Sequence, residues 1–293
     1  MTMNPAYLRP ARQMTSLAAV AALSLVLGGC EMNLGGFSGL GGQTSRPRIA
    51  ETEAPDASFS DNIASLTDVV KRNPNSPEAY NTRGAAYARA GRYQEAVTDF
   101  SQAIRLDPNH ASAYTNRALA ARQMGKNDVA LADFGRAIAA NPSHAPAYLG
   151  RANLLRAQGN LQDAMGDLDK AIRLNPEEAQ AFHARGLIYQ RNGDHARAIT
   201  DFDNAIDRNP FAAAPYQARA QSLTVIGKYD LAIEDFNAAL NVNNRNADAW
   251  AGLGLAYEKQ GDKTKASESY GRALVVDPAN KIAREGQSRT GRA

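Results

Sequence analysis

The sequence predicts an all-α solenoid of six helix–turn–helix repeats, preceded by an N-terminal capping helix. Three observations carry this. The pairs Asn73-Pro74, Asp107-Pro108, Asn141-Pro142, Asn175-Pro176 and Asn209-Pro210, then Asn243-Asn244 and Asp277-Pro278, follow one another every 34 residues without an insertion. A fixed period of that size marks a stacked repeat. Within each period the small and apolar residues recur at helical intervals. Finally, the chain is rich in alanine and only 7% aromatic, which suits close helix packing better than a sheet of β-branched and aromatic residues.

The elements follow in chain order. Residues 1–29 read as a signal peptide: Arg9 and Arg12 precede an apolar run from Leu17 to Leu27, then Gly28, Gly29 and Cys30. The run falls short of the roughly 20 apolar residues that span a bilayer. The tetrapeptide Leu27-Gly28-Gly29-Cys30 resembles the lipobox of bacterial lipoproteins, and the one cysteine of the chain stands in its lipidation position. That resemblance implies a lipid attachment at Cys30, with several acyl chains holding the protein on a membrane. It also implies export to the periplasmic side, and Glu31, where an inner-membrane retention signal would carry Asp, favours the outer membrane over the inner. Residues 30–58 are rich in Gly, Ser and Pro and read as a flexible linker. Residues 59–76 hold the capping helix, with Ile63, Leu66 and Val69 at helical spacing.

Six units follow, at 77–110, 111–144, 145–178, 179–212, 213–246 and 247–280. Each has an aromatic at its fourth position, as in Tyr80 and Trp250, and Gly or Ala at its eighth. Each has a glycine at its fifteenth, as in Gly91 and Gly261. Positions 4, 8 and 11 share a face of a first helix, and 20, 24, 27 and 28 share a face of a second. The glycine closes the first helix in a left-handed conformation, and the proline ends the second. Asn244 replaces that proline once, and a looser turn is expected there. No unit buries its apolar face alone, so the core is continuous along the array. Residues 281–293 read as a polar tail, starting at most a helical turn near Ile282.

Charge gives a second pattern. Position 7 is Arg83, Arg117, Arg151, Arg185 and Arg219 in the first five units, and position 23 is Asp99, Asp133, Asp167, Asp201 and Asp235. In the sixth unit both change together, to Leu253 and Ser269. A structural ladder of Arg–Asp ion pairs is the expectation, specifying packing more than adding stability. The formal charge is +3, and Arg9 and Arg12 lie in the segment expected to be cleaved. A near-neutral mature chain has no global drive toward nucleic acid.

No catalytic constellation is present: there is no HExxH, CxxC, GxSxG or phosphate-binding loop. The four histidines have no metal-ligand spacing, and His110 and His144 are expected as solvated turn residues. The expectation is therefore a protein that is not an enzyme and that needs neither cofactor nor metal.

The positions quoted above resemble the tetratricopeptide-repeat family over residues 77–280. The resemblance implies a right-handed superhelix whose first helices line a concave peptide-binding groove. Carried onto this chain, the groove positions are Asn81, Arg89, Thr115, Leu119, Arg122, Leu149, Asn153, Arg156, His183, Leu187, Arg191, Gln217, Gln221, Glu258 and Lys259. The leucines suit apolar side chains of a partner and the arginines its carboxylates. The Lys and Asn pair of the chaperone-binding branch is absent, since the matching positions are Asn81 and Ala85. With the lipobox, the chain resembles NlpI-type envelope lipoproteins, which implies a membrane-anchored adaptor or scaffold for proteins such as peptidoglycan hydrolases or proteases. An assembly lipoprotein, such as a pilotin or an outer-membrane or secretion accessory, is the alternative. The exposed ends of the array also leave room for a homodimer.

Overall fold

The computed structural model describes residues 55–291. The signal peptide, Cys30 and the linker up to residue 54 lie outside the described residues. The rest is helical: a leading helix α1 (Pro55–Arg72), then the paired helices α2 (Pro77–Arg89) and α3 (Tyr93–Leu106), α4 (Ala111–Gln123) and α5 (Asn127–Ala140), α6 (Ala145–Ala157) and α7 (Leu161–Leu174). The pairs continue with α8 (Ala179–Arg191) and α9 (His195–Arg208), α10 (Ala213–Val225) and α11 (Tyr229–Val242), α12 (Ala247–Gln260) and α13 (Lys263–Val276), and α14 (Lys281–Thr290) closes the array.

Local chemistry sets the breaks. At each of the six inner turns a glycine, from Gly91 to Gly261, has φ between 74° and 100°. The next N–H reaches back to the helix, as Arg92 N does to Tyr87 O at 2.9 Å, the Schellman arrangement that satisfies the last carbonyls. At the outer turns an Asp or Asn side chain accepts the N–H two residues on, as Asp107 Oδ1 does from Asn109 at 2.9 Å. Asn243 makes the same bond to Arg245 at 3.1 Å, and the carbonyl of Asn244 accepts from Trp250 Nε1 at 2.9 Å. The looser turn expected at Asn244 is therefore not found, because the aspartate-like bond, and not the proline, shapes this turn.

Phe100, Phe134, Leu168, Phe202, Phe236 and Tyr270, one per unit, are buried between the helices. Small residues let them in. A Cβ added to Gly84 would lie 2.7 Å from Phe100, and one on Gly186 would lie 2.6 Å from Phe202. Each first helix touches the first helix of the next unit, whereas among the described residues no second helix touches the next second helix. The first helices thus form the inner, concave layer of an all-α superhelix and the second helices its outer layer.

Two boundaries differ from expectation. Helix α1 starts at Pro55, four residues inside the stretch read as linker. The polar tail is in fact helix α14: Asn280 caps it by accepting from Ala283 N at 3.0 Å, and Ala283, Gly286 and Thr290 are buried. Gly286 lies under the Tyr270 ring, where a Cβ would come within 2.2 Å of it. α14 is the first helix of an incomplete seventh unit.

Candidate interaction groove

The Arg–Asp pairs form. Each position-7 arginine grips the aspartate of its own unit with two nitrogens: Arg83 Nε to Asp99 Oδ2 at 2.7 Å, with the same distance for Arg117–Asp133, Arg151–Asp167 and Arg219–Asp235, and 2.8 Å for Arg185–Asp201. The carboxylates are nearly closed off from water. Hydrogen bonds donated to their aspartates hold these guanidinium groups more firmly charged than usual.

The third nitrogen reaches the preceding unit, which the sequence reading missed. Arg83 bonds Thr67, Arg117 bonds Ser101 at 3.0 Å, Arg185 bonds Asp169 at 2.8 Å and Arg219 bonds Asp203 at 2.5 Å. Arg151 faces Gly135 at that place. The signal was in the sequence as a polar residue two positions after every ladder aspartate except Asp133. Aromatic rings at position 4 flank Arg83, Arg117, Arg185 and Arg219, and a second ring at position 11 flanks Arg83 and Arg185, as Tyr80 and Tyr87 do for Arg83 at 5.7 and 5.8 Å. Arg83, Arg117, Arg185 and Arg219 thus have all three guanidinium nitrogens taken up within the fold, and Arg151 has two.

The expected groove positions divide in three. Asn81 and Thr115 are buried, at 8% and 3% exposure. Asn81 accepts from Asn116 at 3.0 Å and Thr115 bonds the Ala111 carbonyl at 3.0 Å. Both are structural, a correction that follows from the contact between successive first helices, which consumes this part of the inner face. Gln217 accepts from Asn246 at 2.7 Å, and Glu258 is held by Arg289 at 2.7 Å and by the Tyr270 hydroxyl at 2.6 Å. Burial and that carboxylate push the Tyr270 hydroxyl pKa far above its usual range, so it stays a donor.

The remaining positions stay available. Arg89, Leu119, Arg191, Gln221 and Lys259 are exposed; Arg122, Leu149, Asn153, Arg156, His183 and Leu187 are partly so. Five of them, Arg89, Leu119, Arg122, Leu149 and Asn153, line two adjoining hollows. One, of about 200 Å³, lies over Leu119, Arg122, Leu149 and Asn153, with Gln180 and Glu178 at its far rim. The other, of about 370 Å³, lies over Ala85, Arg89, Leu119 and Arg122, with Tyr93 and Asn116 alongside. Both share Leu119 and Arg122. Glu178, Gln180, Asn116 and Tyr93 were absent from the expected set; positions 34 and 2 of consecutive units carry the first two, at the rim where one unit hands over to the next.

The histidines are less solvated than expected. His110 pairs with Glu78 at 2.9 Å, and His144 Nε2 is buried without a hydrogen-bond partner among the described residues. Burial, then the neighbouring His110, lowers the His144 pKa. His183 sits 5.9 Å from the Phe202 ring, and burial, reinforced by Arg156, brings its pKa down to about 4. It is neutral at physiological pH. Among the described residues no group of His, Cys, Asp and Glu could hold a metal ion, and no helix is long and apolar enough to cross a membrane.

Family comparisons agree with this architecture. Descriptions of the tetratricopeptide repeat match residues 77–110 and 179–212, 115–179 and 247–280, and a TPR repeat description matches 220–261. Together they cover well over half of the chain. No curated protein matches. Among solved structures, the APC/C hetero-tetramer Cut9–Hcn1 is 20% identical with a TM-score of 0.69, over 80% of this chain and 46% of that one. The chain therefore spans about half of that subunit's length. PilF of Pseudomonas aeruginosa is 19% identical with a TM-score of 0.68, over 75% of this chain and 99% of PilF. YrrB, described as a TPR protein with an unusual peptide-binding site, is 23% identical with a TM-score of 0.56, over 64% and 97%. At these identities the likeness is one of fold.

Proposed function

The chain belongs to the tetratricopeptide-repeat family, and from that premise we propose that it is a non-catalytic scaffold anchored by lipid at Cys30 to a bacterial membrane, the outer one, facing the periplasm. Its inner face holds segments of envelope proteins, peptidoglycan hydrolases or proteases, in the manner of NlpI-type lipoproteins. Proteins of this family bind protein or peptide partners. The observation that carries the reading is the pair of adjoining hollows on the first helices, floored by Leu119, Leu149, Ala85 and Ala88 and left uncovered by the fold. Apolar hollows with a few convergent polar groups suit an extended peptide. The anchor rests on Leu27-Gly28-Gly29-Cys30.

A second reading is an assembly lipoprotein. PilF, and PilW, described as a type IV pilus biogenesis factor, are covered over 99% and 97% of their lengths, so each has the dimensions of this repeat array. One experiment separates the two. The intact chain is crosslinked in membranes beside its Cys30→Ala and Leu149→Asp forms, and captured proteins are identified by mass spectrometry. Hydrolases or proteases caught by the anchored chain and lost with Leu149→Asp are the expected result; pilus, secretion or integral outer-membrane components would replace it with the assembly reading. Capture unchanged by Leu149→Asp would remove the groove from the proposal, and release of Cys30→Ala from membranes, with an acyl mass at Cys30 in the parent, tests the anchor.

A further inference from the structure

The inner face is electrostatically uneven along its length. Helices α2, α4, α6 and α8 each carry one arginine there: Arg89, Arg122, Arg156 and Arg191. Among the described residues none of the four has a carboxylate within ion-pair distance, whereas each position-7 arginine has one. Glu178, at the rim of the hollow that Arg122 lines, caps α8 by accepting the Gln180 N–H at 3.2 Å and is not within ion-pair distance of Arg122. The other end differs. On α12, Asp248 and Glu258 are taken up by Asn280 and Arg289, and Lys259 is the exposed cation. Of these five unpaired cations four thus lie in the first four repeats, and the two hollows lie there too.

Arg156 adds a sharper observation. Its Nε is buried and has no hydrogen-bond partner among the described residues. A buried guanidinium N–H without an acceptor is costly, so a carboxylate that draws the Arg156 side chain outward relieves that cost on binding. His183, beside it, is neutral and cannot compensate the charge. Packed helices lie about 10 Å apart, the span of about three residues of extended chain.

Resting on the scaffold reading, we propose that the inner face of repeats one to four receives an extended acidic segment of a partner protein. Two of its carboxylates, three residues apart, meet Arg122 and Arg156, and an apolar side chain between them seats against Leu119 and Leu149.

The test uses the full-length chain in detergent micelles and three fluorescent ten-residue peptides with the same leucines. They differ only in whether the two flanking residues, three apart, are Glu, Gln or Lys. Anisotropy should show the Glu peptide bound about tenfold more tightly than the Gln peptide, the worth of one charge-assisted hydrogen bond, and the Lys peptide not bound. Added salt should shrink the difference. Arg122→Gln and Arg156→Gln should each shrink it and together abolish it, and Lys259→Gln should leave it intact. Thermal melts confirm that each variant is folded; if Arg156→Gln is not, Arg122→Gln against Arg122→Lys carries the test, with Lys retaining part of the preference. Equal binding of the Glu and Gln peptides, lost in Leu149→Asp, would overturn the acidic preference and leave the scaffold reading standing. Binding of none of the three would overturn the proposal, and dependence on Lys259 instead of Arg122 would overturn its placement.

Discussion

At the scale of the residue, the Arg–Asp pairs show how a buried charge is tolerated. Asp99 is 4% exposed, and both its oxygens accept from Arg83. Removing one partner of such a pair strands a desolvated charge, at about 3–5 kcal/mol, while replacing both by a well-packed alternative is often near neutral. The sixth unit contains that alternative: Leu253 is buried in the apolar cluster, and the Ser269 hydroxyl turns to its own helix, bonding Lys265 O at 2.8 Å. Arg83→Leu alone should therefore lower unfolding stability in urea by about 3 kcal/mol, and Arg83→Leu with Asp99→Ser by about 1 kcal/mol or less. Equal losses for the single and double variants would deny the coupling. The pairing was legible because both positions change together in one unit. The status of Asn81 and Thr115 was not, since whether an inner-face residue meets solvent or the next first helix depends on how closely the units stack, which no single repeat encodes.

At the scale of the element, the helix missed in the sequence explains how the array ends. Tyr270 is fully buried, and without α14 its ring and Ala273 would face water. The signal was present but short. An alanine stands at position 3 of five of the six units, as in Ala79 and Ala249, and Ala283 and Gly286 continue the register. They do so among Lys281, Arg284, Glu285 and Arg289, whose polarity belongs to the outer face of a cap and reads in sequence as a solvated tail. The six repeats were legible because each slot recurs six times, while an incomplete unit offers only one instance of each. Gly286→Val would drive side-chain carbons into the Tyr270 ring, already 2.2 Å from a simple Cβ. Overpacking of this kind costs about 1–3 kcal/mol, so thermal unfolding should begin at a lower temperature, with hydrogen-exchange protection lost first in α13 and α14. Ser288→Ala, on the exposed side of the same helix, should leave both unchanged.

At the scale of the whole molecule, a solenoid with nearest-neighbour contacts is only as cooperative as its weakest junction. The arginine ladder joins the cap to repeat one, one to two, three to four and four to five through Thr67, Ser101, Asp169 and Asp203. Between repeats two and three the partner position is Gly135, and Arg151 is left with its own Asp167 alone. The hollow over Leu119, Arg122, Leu149 and Asn153 spans this junction, on α4 and α6. A Cβ at Gly135 meets nothing within 4 Å, so a side chain can be placed there without strain. Gly135→Ala should stabilise the chain by about 1 kcal/mol through helix propensity. Gly135→Asp sacrifices much of that propensity but supplies the missing rung, as Asp169 does for Arg185. Its distinguishing sign is dependence on Arg151: in an Arg151→Ala background the gain from Asp should fall below that from Ala, and in the parent it should match or exceed it. Native-state hydrogen exchange reads the consequence for cooperativity. In the parent chain α2 to α5 should open at lower free energy than α8 to α11; in the Gly135→Asp variant the two halves should converge. Unchanged exchange in α2 to α5, despite a measured gain in overall stability, would show that the junction is held by its apolar contacts and that the ladder sets packing register without governing how the array opens.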